Sequence, residues 1–355
     1  MKPNIRRLVA TNTWAASTDM TPIDIPREGL ITEITVRAAL TATLTAAAYD
    51  DWFRRVIQNI KIEGDGRAFL GMSGTQMGVP LSLWGEMKHK MPTLSSNGAG
   101  IALAGPDVGS TAFNAMWKFH PGSNPSDPFD MTAVIPARAL STLQAKLTTA
   151  AAAVTDAAGT ITAGTFHYEI NQVLEERVPS GLMTPVGSTL AYAHTANYSD
   201  FSYDIDIPAG AFLRSIVIVV RDDTATVCRR KDDEVTGIKI KKPKTGDYIL
   251  EQLVYGIKQS MASRFGWLGT AGDVGPIGAI ATIRPAPSAL LSMTPAGFYV
   301  IDLRPFGHPL YGLDLRGYQT GDLKMGLTIE NYAAGDATTI YWDQLLPVDQ
   351  VYVGK

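Results

Sequence analysis

The five histidines are the residues of this sequence best suited to metal or acid–base chemistry, so their spacing is the first test for an enzyme. They are His89, His120, His167, His194 and His308. A cupin-like metal site needs two histidines one residue apart on a strand, plus a further histidine and a carboxylate. No two of the five have this spacing. We therefore predict no catalytic residue, no metal and no other cofactor, unless distant strands bring histidines together.

Three glycine-rich stretches come close to catalytic or nucleotide-binding motifs without matching them. Residues 71–75 (GMSGT) miss the nucleophile elbow of serine hydrolases, because the second glycine comes one residue early. Residues 64–69 (GDGRAF) lack the third glycine of a dinucleotide-binding loop, and residues 266–278 lack the Lys-Ser/Thr end of a phosphate loop. All three are better interpreted as plain turns.

Acidic clusters are the remaining candidates for a ligand site. They lie at 50–51, 222–223 and 232–234, and with backbone carbonyls they could bind calcium. None has the spacing of a known calcium loop, and aspartate is common in turns. Basic runs at 229–231 and 239–244 are mixed with these acids. This pattern favours a solvated pair of strands, and the alternative is an electrostatic latch between neighbouring subunits.

Length and composition bound the fold and exclude several classes of protein. A chain of 355 residues exceeds one comfortable core, so two domains are expected. The net charge of −3 argues against a protein that mainly neutralises phosphates. The single cysteine, Cys228, excludes an intrachain disulfide and is expected to be a small buried apolar residue. The basic start lacks the apolar segment of a signal peptide, and no run is long enough to span a bilayer.

An internal repeat is the most informative feature of the sequence. The tetrapeptide Ile-Asp-Ile-Pro at 23–26 recurs at 205–208, an offset of 182 residues. Asp50-Asp51 matches Asp232-Asp233 at the same offset, and Ile-Lys-Ile at 60–62 matches 238–240 at an offset of 178. The strand-like stretch 143–148 then matches 323–328 at an offset of 180. The landmarks keep one order, so the chain is a duplication.

Each half consists of short alternating stretches separated by turn residues, which is typical of an antiparallel β-sandwich. Duplication at this long period indicates two whole domains. We therefore predict an all-β chain with short helices in insertions, divided into an arm at 1–17, a sandwich at 18–178, a linker at 179–198 and a sandwich at 199–351. The predicted core residues are Ile34, Val36, Ile60, Ile62, Ile216, Ile218, Ile238 and Ile240.

Helical periodicity is scarce. The best candidate is 247–261, where Asp247 could cap the start and five apolar residues fall on one face: Leu250, Leu253, Val254, Ile257 and Met261. Its weaker counterpart in the first half is 80–87. Both lie in the insertion after the Ile-Lys-Ile strand, which supports the repeat.

The paired Ile-Asp-Ile-Pro openings, the Asp-rich turns before Ile-Lys-Ile and the stretch 313–317 (LDLRG) together identify a family resemblance. The chain resembles the double jelly-roll major capsid proteins of tailless icosahedral bacterial and archaeal viruses, from about residue 21 to residue 351. The resemblance implies two tandem jelly rolls and a structural role without enzymatic activity. It also implies trimers whose six jelly rolls form a roughly hexagonal tile, located in the virion shell after synthesis in the host cytoplasm.

Many viruses with such coats carry a membrane beneath the shell. The resemblance therefore implies a role for Lys2, Arg6 and Arg7 as a basic arm that contacts anionic headgroups. The alternative is a solvated, disordered terminus. The resemblance further implies minor capsid or penton proteins as partners, and no specific nucleic-acid site.

Two other functions remain open from the residues alone. One is a carbohydrate- or receptor-binding spike, although the six tryptophans are too scattered to form an aromatic platform. The other, less favoured, is a two-domain cupin-like metalloenzyme. On the coat interpretation, the apolar, Gly- and Pro-rich segments 97–106 and 266–291 pack between subunits; otherwise they fold back over their own domain.

Overall fold

Alternation of apolar and polar residues builds strands along most of the chain in the structure, a computed structural model. The structure describes residues 4–44, 56–71, 94–96, 109–122, 127–151, 160–174, 181–198, 205–224, 227–230, 234–265, 297–304 and 312–348. The stretches 80–87, 97–106 and 266–291 of the sequence analysis lie outside these residues, as do His89, His308, Lys2 and the 50–51 and 232–233 acidic pairs.

The first half of the chain forms two antiparallel sheets. Its strands are β1 (Asn4–Thr13), β2 (Ile23–Asp24), β3 (Leu30–Leu44), β4 (Ile57–Gly64), β5 (Arg67–Gly71), β6 (Leu94–Ser96), β7 (Gly109–Phe119), β8 (Gln144–Thr149) and β9 (Thr160–Val173). One sheet has the order β1-β9-β3-β7-β6 and the other β2-β8-β4-β5. A short 3-10 helix, Ala137–Ala139, lies between β7 and β8.

The second half repeats this arrangement. Its strands are β10 (Met183–Pro185), β11 (Ser188–Ala193), β12 (Ile205–Asp206), β13 (Phe212–Thr224), β14 (Val227–Arg230), β15 (Val235–Lys241), β16 (Tyr248–Leu253), β17 (Phe298–Asp302), β18 (Leu313–Asp314), β19 (Lys324–Ile329) and β20 (Asp336–Pro347). One sheet has the order β12-β19-β15-β16. In the other, β20 lies between β11 and β13, and β13 also pairs with β14, β17 and β18.

In each half the chain passes repeatedly between its two sheets. The strands β1, β3, β7 and β9 belong to one sheet, and β2, β4, β5 and β8 to the other. The second half follows the same route, with β11, β13, β17 and β20 in one sheet and β12, β15, β16 and β19 in the other. Each half thus pairs a four-stranded sheet with a larger one, of five strands in the first half and seven in the second, and two sheets linked in this way form a jelly roll. The predicted all-β double jelly roll is confirmed.

The chain divides into two compact units, which follow the two halves except that the first unit also contains β10 and the end of β20. The first contains the described residues 4–189 and 343–348, and the second contains 190–304 and 312–342. The division after residue 189 falls inside the stretch that we predicted as a linker, 179–198.

Strand register shows the duplication at the level of single residues. In each smaller sheet one residue from each of the four strands lies beside the next, which makes a row across the sheet. The rows that correspond are Ile23–Ala145–Ile62–Leu70 in the first half and Ile205–Met325–Ile240–Leu250 in the second. Both hairpins, β4–β5 and β15–β16, then carry a bulge immediately after this row. Because register determines which face each side chain occupies, the two halves share one arrangement of core and surface positions.

All eight predicted core residues are buried, and none exposes more than 2% of its surface. In β13 every residue from Ile216 to Val220 is buried, so this strand is covered on both faces. The same holds for β3 around Glu33 and Thr35, which alternate with the apolar residues of that strand. Their burial was not predicted.

Two predicted connections are strands. Residues 4–13, predicted as an N-terminal arm, form β1, which pairs with β9 from Asn4↔Val173 to Thr13↔Thr165. The predicted linker contains β10 and β11, and both pair with β20. The sequence obscured them because β10 and β11 are short and edge strands need no continuous apolar face. Each jelly roll therefore begins before its Ile-Asp-Ile-Pro tetrapeptide.

The predicted helix starts later than its sequence pattern indicated. The helix α1 spans Val254–Phe265, and it buries the predicted Val254, Ile257 and Met261. Leu253, predicted on the same apolar face, instead ends β16 and is 68% exposed. Residues 248–253 instead form β16, because they add to the open edge of β15 and gain its cross-strand hydrogen bonds. Asp247 therefore lies in the turn before a strand and caps no helix.

Gly29 and Gly210 precede the long strands β3 and β13, and they provide a matched pair of stability variants. Both have positive φ, +76° and +87°. A Cβ at Gly29 would collide with the carbonyl oxygen of Val173, whereas a Cβ at Gly210 would meet no atom within 4 Å. We expect Gly210→Ala to lower the free energy of unfolding by about 1 kcal/mol, from backbone strain alone. We expect Gly29→Ala to lower it by about 3 kcal/mol.

Denaturant titration of both variants measures this difference. Equal losses of stability would contradict the close approach of β9 to the turn at Gly29.

Candidate functional site

Within the part of the chain that the structure describes, the histidines do not come together as ligands of one metal ion. His120 and His194 lie in different units, and His167 is half-buried on β9. Among the described residues, no group of three or more His, Cys, Asp or Glu side chains is arranged to hold a metal ion. The side chains of Cys228 and of Asp222 and Asp223 are not described, so those predictions stay untested.

A buried polar cluster occupies the larger sheet of the first jelly roll, centred on Glu33. Asn171 Nδ2 donates a hydrogen bond to Glu33 Oε1 (2.6 Å), and Lys118 Nζ lies 2.8 Å from Glu33 Oε2. Arg6 Nε donates to Asn171 Oδ1 (2.9 Å), and its guanidinium lies 3.7 Å from Glu33. His120 Nδ1 lies 3.7 Å from the same carboxylate. The cluster thus places the Glu33 carboxylate and the Asn171 amide beside three side chains that can carry a positive charge: Lys118, Arg6 and His120.

Strand register assembles this cluster from residues far apart in sequence. Arg6 of β1 pairs with Asn171 of β9, and Asn171 pairs with Glu33 of β3. Lys118 of β7 pairs with Thr35, two residues beyond Glu33 on the same face. The polar row therefore crosses four neighbouring strands. Sequence spacing gives no sign of it, because the four residues come from four strands.

Burial and neighbouring cations act in opposite directions on the Glu33 carboxyl. Removal from water raises its pKa above the ordinary value of 4.5, while the hydrogen bond and charge of Lys118 and the charge of Arg6 oppose the rise. The net pKa is raised. Glu63 of β4 shows the reverse, because hydrogen bonds from Lys146 and Lys61 hold its pKa below 4.5.

The second jelly roll has its own buried pair, His194 and Glu234. His194 Nδ1 is hydrogen-bonded to Glu234 Oε1, and His194 Nε2 lies 2.7 Å from Thr338 Oγ1. Both ionisable side chains are fully buried. The pair joins the residue after β11, the residue before β15 and the strand β20. It was not predicted, because the two residues are 40 positions apart.

The equivalent place in the first jelly roll is apolar. Trp14 follows β1 as His194 follows β11, and each donates its backbone N–H to the closing strand of its sheet (2.9 Å). Val56, which precedes β4, occupies the position of Glu234 and is fully buried. The fold therefore forms with either kind of residue at this position.

The glycine-rich and basic motifs of the sequence have structural roles where they are described. Asp65 and Gly66 form the β4–β5 turn with φ of +50° and +77°, as a two-residue hairpin requires. Lys239 pairs with Glu251 (2.9 Å) and Lys244 with Asp322 (2.6 Å). Both pairs lie within the second unit. The solvated pair of strands stays a prediction, because the side chains of 229–231 are not described.

The two arginines predicted to contact lipid are also paired within the chain. Arg6 contacts Glu33 and Asn171, and Arg7 lies 3.3 Å from Glu28. More than half of the Arg6 side chain remains exposed. No helix among the described residues is long and apolar enough to cross a membrane.

Exposed apolar side chains are concentrated on a few strand edges. Among the described residues, the large hydrophobic side chains with the greatest exposure are Leu8 (56%), Leu190 (37%), Tyr248 (54%), Leu253 (68%) and Tyr255 (53%). Leu8 and Leu190 lie on the opening strands β1 and β11, at the repeat offset of 182 residues. The other three lie on β16 and the first turn of α1. These edges were not predicted, since β1, β11 and β16 were not identified as strands.

The Glu33 cluster predicts a specific pH dependence of stability. Because the folded pKa of Glu33 is raised, the folded state binds its proton more tightly, and the contribution of Glu33 to unfolding free energy falls as pH rises above 4.5. As the pH rises above 4.5, the unfolding free energy of wild type should therefore fall relative to that of Glu33→Gln.

Glu63→Gln is the matched control, with the opposite sign. Its folded pKa is lowered, so its contribution is present above 4.5 and is lost as pH falls below that value. Denaturant titrations at several pH values measure both differences. If both stability differences changed with pH in the same direction, burial at Glu33 and lysine pairing at Glu63 would not be the causes of the two pKa shifts.

The structure is similar to viral coat proteins along nearly its whole length. It matches the major capsid protein of STIV, Sulfolobus turreted icosahedral virus, with a TM-score of 0.68 and 15% identity over 98% of this chain and 99% of that one. It matches the VP54 protein of PBCV-1 with a TM-score of 0.60 and 10% identity, over 97% of this chain and 94% of that one. For the major capsid protein of bacteriophage PM2 the TM-score is 0.51 and the identity 14%, over 97% of each chain.

No protein-family model and no curated protein matches the sequence. The similarity is thus one of structure, and it extends over both jelly rolls. This chain has the double jelly-roll fold that these capsid proteins share.

Proposed function

We propose that this chain is the major capsid protein of an icosahedral virus. The observation that carries the proposal is the match of both jelly rolls, in one chain and in one order, to the STIV capsid protein at a TM-score of 0.68. The chain then acts in the virion shell as a structural subunit, made in the host cytoplasm. It assembles with copies of itself into trimers that form pseudo-hexagonal capsomers.

The polar clusters support a structural role over an enzymatic one. Glu33, His120, His194 and Glu234 are all buried, with exposed fractions of 1%, 3%, 4% and 0%. Their hydrogen bonds join neighbouring strands, which stabilises a sheet without chemistry. The cupin-like enzyme and the carbohydrate-binding spike have no comparable observation in their favour.

Self-assembly is the first test of this function. Permanent assemblies typically bury more than about 2,000 Å² per interface, so the coat protein should not persist as a monomer at micromolar concentration. Sedimentation velocity of the purified chain should give a trimer or a larger shell, and electron microscopy should show hexagonal particles. A 38.1 kDa monomer at every salt concentration and pH would overturn the proposal.

Two further partners belong to this proposal. Minor capsid or penton proteins would fill the positions where hexagonal tiles cannot close a shell. A membrane beneath the shell would contact the basic N-terminal residues Lys2, Arg6 and Arg7. Arg6 and Arg7 already pair with carboxylates of the same chain, so Lys2 is the best residue for testing a lipid contact.

Flotation of assembled protein with lipid vesicles tests the membrane contact. A lysine near an anionic surface contributes about 1 kcal/mol, which corresponds to about a fivefold change in affinity. We expect Lys2→Gln to weaken binding to phosphatidylserine vesicles by this factor and to leave binding to neutral vesicles unchanged. Equal binding of wild type and Lys2→Gln to anionic vesicles would refute the contact.

A further inference from the structure

The outer strand of the smaller sheet differs between the two jelly rolls in one respect. In the first unit β5 pairs with β4 on one side, and on its other side Leu70 forms a parallel bridge with Gly187. In the second unit β16 pairs with β15 on one side. Among the residues that the structure describes, no strand pairs with its other side.

Burial follows this difference in pairing. Phe69 and Leu70 of β5 are buried, with exposed fractions of 1% and 0%. Their equivalents by register, Ile249 and Leu250 of β16, are only half-buried. Beside them, Tyr248, Leu253 and Tyr255 are exposed. Unpaired strand edges with apolar side chains readily accept another strand.

The internal repeat identifies which strand fits this edge. Gly187 is the residue before β11, and the offset of 182 that relates Leu190 to Leu8 relates Gly187 to Ile5 of β1. Like β16, β1 is the outermost strand of its sheet, with β9 on one side. The equivalent of the Leu70–Gly187 bridge is thus a bridge between Leu250 and Ile5.

Resting on the proposed capsid function, we infer that β16 of one copy of this chain pairs with β1 of the next copy, with Leu250 beside Ile5. The contact brings the exposed Leu8 of one copy to the exposed apolar side chains of the other. It also brings together opposite charges, because Arg6 on β1 and Glu251 on β16 each keep more than half of the side chain exposed. Two different surfaces meet, so the contact is heterologous and can close into a ring of three copies.

Disulfide cross-linking tests the contact directly. The variant Ile5→Cys/Leu250→Cys, in a Cys228→Ser background, is assembled and then oxidised. Because each copy contributes one cysteine to each neighbour, we expect covalent dimers and trimers on a denaturing gel, ending at three chains for a closed ring. The control Thr162→Cys/Leu250→Cys, with Thr162 exposed on β9, should give no such ladder.

Exposed leucines give a second measurement that does not disturb the core. Leu8→Glu and Leu253→Lys should each shift the assembled protein to monomer by sedimentation, and the double variant should recover assembly through opposite charges. Circular dichroism should show unchanged folding in all three variants.

The outcomes separate this inference from the proposed function. Wild-type protein that never assembles overturns both. Wild-type protein that assembles, with no cross-linked ladder and no effect of either leucine variant, overturns the contact alone. A cross-linked product that stops at dimers also overturns it, because a two-fold contact would then have formed.

Discussion

The register of β8 and β19, the central strands of the two smaller sheets, constrains the rest of each jelly roll. β8 holds Ala145 between Ile23 and Ile62, and β19 holds Met325 between Ile205 and Ile240. A slip by one residue would turn each of these side chains from the core to the opposite face. Since burial of one isoleucine stabilises the fold by roughly 1.5–3 kcal/mol, a slipped sheet would lose most of its core. The shared register therefore explains why both halves keep the same core positions.

Outside that constraint the two jelly rolls have diverged. The position after the opening strand is Trp14 in one and His194 in the other, and the buried residue before the Ile-Lys-Ile strand is Val56 or Glu234. The Glu33 cluster likewise has no counterpart at Ser215, the equivalent position of β13. Buried ion pairs often contribute little net stability compared with apolar residues, because both charges lose their hydration. Equivalent positions can therefore hold apolar residues in one jelly roll and polar residues in the other, provided that the buried polar groups are hydrogen-bonded.

Strand edges connect the fold to assembly. A jelly roll is open at its outermost strands, and exposed edges are sites where another chain can pair. Among the residues that the structure describes, the large exposed apolar side chains lie at or beside such edges: Leu8 on β1, Leu190 on β11 and three residues around β16. The polar faces of the same sheets, with pairs such as Lys239–Glu251, remain suited to solvent.

The sequence by itself determined the duplication, the all-β class and the core. Ile-Asp-Ile-Pro and Ile-Lys-Ile are local patterns, and alternation with a period of two places Ile62 and Ile240 inside without knowledge of their partners. Only the tertiary structure decided the rest. Residues 248–253 fit a helical pattern but form β16, because the open edge of β15 supplies hydrogen bonds. The periodicity of a sequence carries no information about such a partner strand. Glu33 and the His194–Glu234 pair were missed for the same reason, since their partners come from distant strands and only strand pairing brings them together.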